Sequence, residues 1–179
     1  MAEMVNVAVD AMGGDNAPKE IVKGAVEAVN EDKRVKVFLV GREPEIREEL
    51  KSYTYDAQRL EVVHAQEVIE TGEPPVMAIR KKKDSSIVKA MYMVKDGSCD
   101  ALVSAGSTGA VLVGGQVIVG RIKGVERPPL APIIPNINGV SLLLDCGANV
   151  DAKASQLLQF ARIGSMYMES IIGVSNPRV

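Results

Sequence analysis

The sequence predicts an α/β fold, a mainly parallel sheet with helices on both faces. Two observations carry that reading. Short apolar runs alternate with segments whose apolar residues recur at helical spacing, the pattern of strands joined by crossover helices. Three of those runs also end in a loop of small residues that leads into a helix. Residues 5–9 run into Asp10, Ala11, Met12, Gly13, Gly14, Asp15 and Asn16. Residues 101–103 run into Ser104, Ala105, Gly106, Ser107, Thr108 and Gly109, and residues 140–144 into Asp145, Cys146, Gly147, Ala148 and Asn149. A strand, a glycine-rich turn and a helix start gather backbone N–H groups around an anion. Ligands of parallel sheets bind beyond the carboxyl ends of the strands, where all three loops fall. Three such loops on one edge of one sheet would make a site for something negatively charged.

The elements follow in order. Residues 5–10 read as a buried strand, and Asn16 is placed to cap the next helix, with Pro18 in its first turn, where a missing N–H costs nothing. Ile21, Val22, Ala25, Val26 and Val29 give that helix one apolar face. A second strand spans 35–40 and stops at Gly41. Pro44 starts a short charged helix that ends near Lys51, and residues 60–63 form a third strand. After the break at Glu73, Pro74 and Pro75, residues 76–83 predict a helix ending in four basic residues. Ser85 or Ser86 caps the next helix, which buries Ile87, Met91 and Val94 and stops at Gly97. A strand at 101–103 leads to an apolar helix from Thr108. Residues 123–138 hold Pro128, Pro129, Pro132 and Pro135, which marks an irregular connection or an edge strand. Residues 140–144 are the last strand and 152–172 the last helix.

Composition narrows the classes. Hydrophobic residues are 46% and charged residues 25% of the 179, ordinary for a globular α/β chain, and the length suits one large domain or part of a larger one. The net charge of −2 excludes nucleic-acid binding on electrostatic grounds. Aromatics are 3% and Trp is absent, against base-stacking and carbohydrate sites. Cys99 and Cys146 form no Cys-x-x-Cys pair, which points to a reducing compartment and away from structural zinc. Ala2, Glu3 and Met4 lead straight into a strand, so no signal peptide is expected. Residues 101–120 carry no charge and are long enough to span a membrane. Glycines at 106, 109, 114, 115 and 120 and the break at Gly106 predict a buried strand and helix instead. Gly173 to Pro177 is a turn signal followed by an abrupt stop at Val179, so the chain reads as the first part of a longer protein.

Each loop has a functional and a plainer reading. Gly13 and Gly14 permit close approach of backbone to an anion, with Asp15 and Asn16 at the helix start; a tight turn with a capping Asn explains them equally. No Gly-x-Gly-x-x-Gly and no Gly-Lys-Ser/Thr occurs, so the dinucleotide and P-loop fingerprints are missing. Ser104, Gly106, Ser107, Thr108 and Gly109 place hydroxyls and glycines at a helix N-terminus, suited to phosphate or an oxyanion, against simple capping by Ser107 or Thr108. Asp145 ends an apolar strand and requires a partner; Gly147, Ala148 and Asn149 offer donors, and Lys153 is either an anion ligand or an exposed helix residue. Cys146 lacks a nearby histidine to activate it. His64, the one histidine, is a candidate general base or a structural histidine. Arg80, Lys81, Lys82 and Lys83 form a solvated patch or a docking surface for an acidic partner.

Taken together, the loops from Asp10 to Pro18, the run Arg80 to Ser86, Ser104 to Ala110, Gly120 to Gly124 with Arg127 and Pro128, and Leu144 to Asn149 resemble the PlsX phosphate acyltransferase family of bacterial phospholipid synthesis. The resemblance runs in order from Val5 to Val179 and covers about the first half of a usual member, as the N-terminal part of a single α/β domain over 1–179. It implies transfer of a long acyl chain from acyl carrier protein to inorganic phosphate, giving acyl phosphate, without a cofactor or metal. It implies a three-layer α/β/α sandwich similar to isopropylmalate dehydrogenases and phosphotransacetylases, a homodimer, and a cytoplasmic protein loosely associated with the membrane surface. In that light Asp10, His64, Asp145 and Lys153 are the candidate catalytic residues, and Arg80–Lys83 would receive the acidic carrier protein. Two positions depart from the family: Ser107 stands where Asn is usual, and Cys146 where a small aliphatic residue is usual, so a cysteine nucleophile is not implied. A nicotinamide-dependent dehydrogenase-like enzyme of the related fold, or a non-catalytic fragment of the acyltransferase, are the alternatives.

Overall fold

A computed structural model describes residues 4–149 and 151–179, so Ala2 and Glu3 of the expected leaderless start lie outside the described residues. Contacts divide the chain into two compact units, Met1–Gly120 and Arg121–Val179.

The first unit alternates strand and helix: β1 (Val5–Asp10), α1 (Lys19–Glu31), β2 (Val35–Gly41), α2 (Glu43–Leu50), β3 (Leu60–His64), α3 (Pro75–Lys81), α4 (Ser86–Lys95), β4 (Ala101–Val103) and α5 (Thr108–Gly114), which continues as a π turn over Gly115–Val119. Its sheet has the order β3-β2-β1-β4, and every pairing is parallel. Strand side chains alternate between faces, and here both faces are covered. Val9, Val37, Leu39 and Leu60 pack with Val22, Ala25, Val26 and Val29 of α1 and with Ile46 and Leu50 of α2. Ala8 and Val40 face the other way, onto Ala65, Ala90 of α4 and Cys99. A third cluster joins α3, α4 and α5 through Ile79, Ile87, Met91 and Ala110. Burial on two faces explains why these strands read as unbroken apolar runs. This is the expected three-layer, mainly parallel architecture.

Helix starts differ from expectation in detail. Pro18 itself is the N-cap of α1, without a side-chain cap. Asn16 therefore lies two residues too early to cap; it is its carbonyl, not its side chain, that takes an N–H, from Glu20 at 3.1 Å. Ser85 occupies the N-cap of α4 as expected, yet its hydroxyl donates to the Lys82 carbonyl at 2.8 Å instead of capping.

The second unit holds β5 (Ile133–Asn136), β6 (Gly139–Leu142), α6 (Ala154–Tyr167) and a π turn over Met168–Ile172. The expected last strand of the parallel sheet is thus a hairpin strand: β6 pairs antiparallel with β5, from Ile133 opposite Leu142 to Asn136 opposite Gly139. Two residues separate these strands, too few for a crossover and enough only to reverse the chain. Pro135 sits in β5, inside the segment expected to be an irregular connection or an edge strand, where a lone hairpin tolerates its missing N–H. Among its described residues only Gln156, Phe160, Gly164 and Met168, spaced four apart on α6 and its extension, are buried. The uncharged stretch 101–120 divides into strand, loop and helix, and among the described residues no helix is long and apolar enough to cross a membrane.

Candidate functional site

Parallel pairing builds the site in the first unit. β1 and β4 are neighbours with Val9 opposite Val103, so the next residue of each, Asp10 and Ser104, arrive side by side at the carboxyl edge. Ser104 Oγ donates to Asp10 Oδ2 at 2.7 Å and accepts the Gly106 N–H at 3.1 Å. The Met12 N–H donates to Asp10 Oδ1 at 3.2 Å. Asp10 is only 3% exposed, so the carboxylate belongs to the protein interior and Ser104, half-buried, is the outer member of the pair.

Glycine at 13 and at 106 is required by contact. A Cβ on Gly13 would lie 2.5 Å from Asp10 Oδ2 and 2.8 Å from the Gly106 nitrogen, and one on Gly106 would lie 3.1 Å from the Gly13 Cα. The two loops touch backbone to backbone over the Asp10 carboxylate. The sequence assigned Gly13 to approach of an anion; its observed neighbour is the partner loop. Gly14 has φ +103 and stands 3.2 Å from Ala105 by the same measure, so it too needs glycine. Beyond this seam Gly14, Asp15, Asn16 and Thr108 are exposed. Ser107 is committed elsewhere: 3% exposed, it is the N-cap of α5 and accepts the Ala110 N–H at 3.2 Å. Asn, usual there in the resembled family, caps equally well. Gly109 lets α5 approach α3, since a Cβ would meet Pro75 Cγ at 2.5 Å.

His64 and the basic run of the first unit make their own contacts. His64 ends β3, two strands from β1, a separation of roughly 10 Å at sheet spacing. Its Nδ1 accepts the Glu43 N–H at 3.3 Å at the start of α2, and its carbonyl accepts Lys89. The ring thus ties the end of β3 to the start of α2. Of the basic run, Lys82 pairs with Glu73 and donates to the Val68 carbonyl, and Lys83 donates to the Ile79 carbonyl. Arg80 and Lys81 are exposed and show no ion pair among the described residues.

The third loop follows β6 and belongs to the second unit, not to the parallel sheet, so the expectation of three loops on one sheet edge is corrected to two. The Ala148 and Asn149 donors are already used. Asp145 Oδ1 accepts from the Leu130 N–H at 2.7 Å and the Ala148 N–H at 3.4 Å; Oδ2 accepts from the Asn149 N–H at 2.6 Å and its Nδ2 at 2.8 Å. Burial opposes ionisation of Asp145, but these donors outweigh it and hold the carboxyl below the usual range. The partners that Asp145 required are the Leu130 amide and the Ala148 and Asn149 amides of its own loop, which turn to an internal carboxylate. Gly147 supplies the positive φ of +81 that this turn needs. Lys153 is the exposed N-cap of α6, and its N–H donates to Gln156 Oε1 at 2.9 Å.

Sequence reading missed the Met12 amide, the Ala105 and Pro75 contacts, and the Asp10–Ser104 bond. The bond was available from strand order alone, had β4 been placed beside β1.

A family model described as fatty acid synthesis protein matches residues 5–179. A phosphate acyltransferase of Syntrophomonas wolfei is 54% identical over 176 residues, 98% of this chain and 55% of its own length. That of Clostridium perfringens ATCC 13124 is 51% identical over 175 residues, 98% of this chain and 52% of its own length. The chain thus spans about half the length of the curated relatives it matches. In fold it is similar to a phosphotransacetylase from Streptococcus pyogenes, with TM-score 0.65 and 16% identity, covering 96% of this chain and 55% of that one. A match that runs from residue 5 to residue 179 places this chain in the fatty acid synthesis protein family.

Proposed function

We propose that this chain forms the phosphate-handling part of an acyltransferase that moves a long acyl group from acyl carrier protein to inorganic phosphate, giving acyl phosphate. The observation that carries the reading is the pair of loops sealed at Gly13 and Gly106, with Ser104 at their seam. The relatives named phosphate acyltransferase support it. In this reading Gly14, Asp15, Asn16, Ser104 and Thr108 line the phosphate site, with Gly13, Gly106, Ser107 and Gly109 fixing its shape. Phosphate held there attacks the thioester carbonyl carbon, the carbonyl oxygen gains charge that amides and hydroxyls stabilise, and the thiolate leaves. A thiol of ordinary pKa, about 8.5, departs with little help from an acid. Arg80, Lys81 and Lys83, exposed and outside the ion pairs among the described residues, are the cations left for the acidic carrier protein. The same reading carries a homodimer in the cytoplasm with peripheral contact at the membrane, and a single domain continuous with the rest of the longer protein.

The experiment uses the full-length protein with acyl carrier protein loaded with a long acyl chain, trapping acyl phosphate as its hydroxamate. Thr108→Val should raise the KM for phosphate about tenfold, the worth of one hydrogen bond, with the circular dichroism unchanged. An unaltered phosphate saturation curve removes Thr108 and its loop from the site.

A further inference from the structure

The Asp10–Ser104 pair has a proton inventory that constrains what can bind beside it. A serine hydroxyl has one hydrogen and two lone pairs. At Ser104 the hydrogen goes to Asp10 Oδ2 at 2.7 Å and one lone pair takes the Gly106 N–H at 3.1 Å. One lone pair remains, so toward a ligand Ser104 is an acceptor and not a donor. The arrangement is locked. Met12 N–H holds the other Asp10 oxygen, Gly13 packs on Oδ2 so closely that a Cβ would lie 2.5 Å away, and Asp10 is 3% exposed. No substrate reaches the carboxylate; it acts only through Ser104.

An acceptor beside an anion site is repulsive unless the anion brings a hydrogen. Inorganic phosphate near neutral pH always carries at least one P–O–H group. Sulfate, of the same size and shape, carries none. An acceptor left facing a second acceptor, both desolvated, costs more than a missing contact, which is why a polar site discriminates strongly against an analogue that lacks the matching group.

We propose that Ser104, oriented by the buried Asp10, accepts the P–O–H of inorganic phosphate, so that the site selects phosphate over sulfate and the pair takes up the proton as phosphate attacks. The proposal rests on the acyltransferase reading above and supplies it with a proton acceptor. As the phosphate oxygen forms its bond to the thioester carbon, the P–O–H proton passes to Ser104 Oγ and the original Ser104 hydrogen passes to Asp10 Oδ2. The carbon–sulfur bond breaks with its electron pair going to the thiolate. After acyl phosphate leaves, the proton returns from Asp10 through Ser104 to water. Ser104 is then a catalytic residue, and Asp10 a positioning residue that acts through it.

The test uses the full-length protein. For the unaltered protein, sulfate should inhibit competitively with an inhibition constant at least about tenfold above the KM for phosphate, one hydrogen bond's worth of discrimination. Ser104→Ala should lower kcat by about 10²–10⁴-fold, the usual share of proton transfer, and abolish the preference over sulfate; Ser104→Thr should keep both. Asp10→Asn, which leaves the Ser104 hydrogen no carboxylate to pass to, should lower kcat as Ser104→Ala does and lower it by a larger factor than it raises the KM for phosphate. Sulfate competing as well as phosphate binds, in the unaltered protein, overturns the proposal without reliance on any variant folding. Full preference and full kcat in Ser104→Ala overturn it equally. Absence of acyl phosphate from the unaltered protein overturns instead the acyltransferase reading, a separate result from turnover that proceeds without anion selectivity.

Discussion

Residues up to Gly120 bury apolar clusters on both faces of four parallel strands, whereas among the described residues from Arg121 onward burial is confined to one helix face at Gln156, Phe160, Gly164 and Met168. The second unit instead leans on polar contacts. Asp145 collects Leu130, Ala148 and Asn149; Arg127 donates to Asn149 Oδ1 at 3.3 Å, and Gln159 joins the Glu126 N–H to the Gly124 carbonyl. It also leaves Ile122, Ile137, Met166 and Ile171 exposed. A core of packed methylenes is redundant, since many contacts share the load. A loop organised by one carboxylate is not. The difference teaches where each unit should be vulnerable.

The largest expected effects separate the two interiors. Phe160→Ala should cost about 3–5 kcal/mol and Leu39→Ala about 2–5 kcal/mol. Hydrogen exchange followed by mass spectrometry should show Phe160→Ala stripping protection from α6 while β1 and β2 stay protected, with the reverse for Leu39→Ala. If Phe160→Ala opens β2 as far as α6, the units unfold as one and the comparison breaks.

A smaller effect tests the seam between the loops of the first unit. Gly13→Ala forces a Cβ into backbone and should cost about 1–3 kcal/mol in urea unfolding. Gly72→Ala, where nothing lies within 4 Å of an added Cβ, should leave the urea midpoint unchanged. Equal midpoints for the two variants would mean that the loops part freely.

The smallest sharpens the comparison through pH. The carboxyl of Asp145 is depressed in the folded chain, so its contribution is complete above the unfolded value of about 4 and is lost as pH falls through the folded value. Protection of residues 145–149 should therefore weaken below about pH 4. Asp145→Asn should cost about 1–3 kcal/mol for mispaired donors and make that protection insensitive to acid. In the first unit hydrogen bonds from the Arg34 guanidinium and from the Arg34 backbone N–H hold Asp32 down to about 2. That pair is solvent-exposed and worth little, so protonating Asp32 should leave β2 protected.

Much of the first unit was legible because its information is local. The spacing of Val22, Ala25, Val26 and Val29 states a helix with one buried face, and residues 35–40 state a strand buried on both. Neither needs knowledge of a distant residue. The hairpin of β5 and β6 was illegible because a run such as 140–144 is equally apolar in a parallel or an antiparallel sheet; the partner decides. The site divided the same way. Asp10, Ser104 and the glycines were readable as candidates from their place after strands. Capping by Ser107 was readable only as one of two alternatives; that Lys82 is taken by Glu73 and that Gly13 meets Gly106 were not readable.

By itself the sequence determined the alternation of strand and helix and the placing of small, polar residues at strand ends, because periodicity and turn chemistry act within a few residues. Only tertiary structure decided that β4 lies beside β1, so that a carboxylate and a hydroxyl 94 residues apart share one hydrogen. It also decided that the amides after β6 turn inward to Asp145. Hydrogen bonds and excluded volume reach a few ångströms in space and are indifferent to distance along the chain.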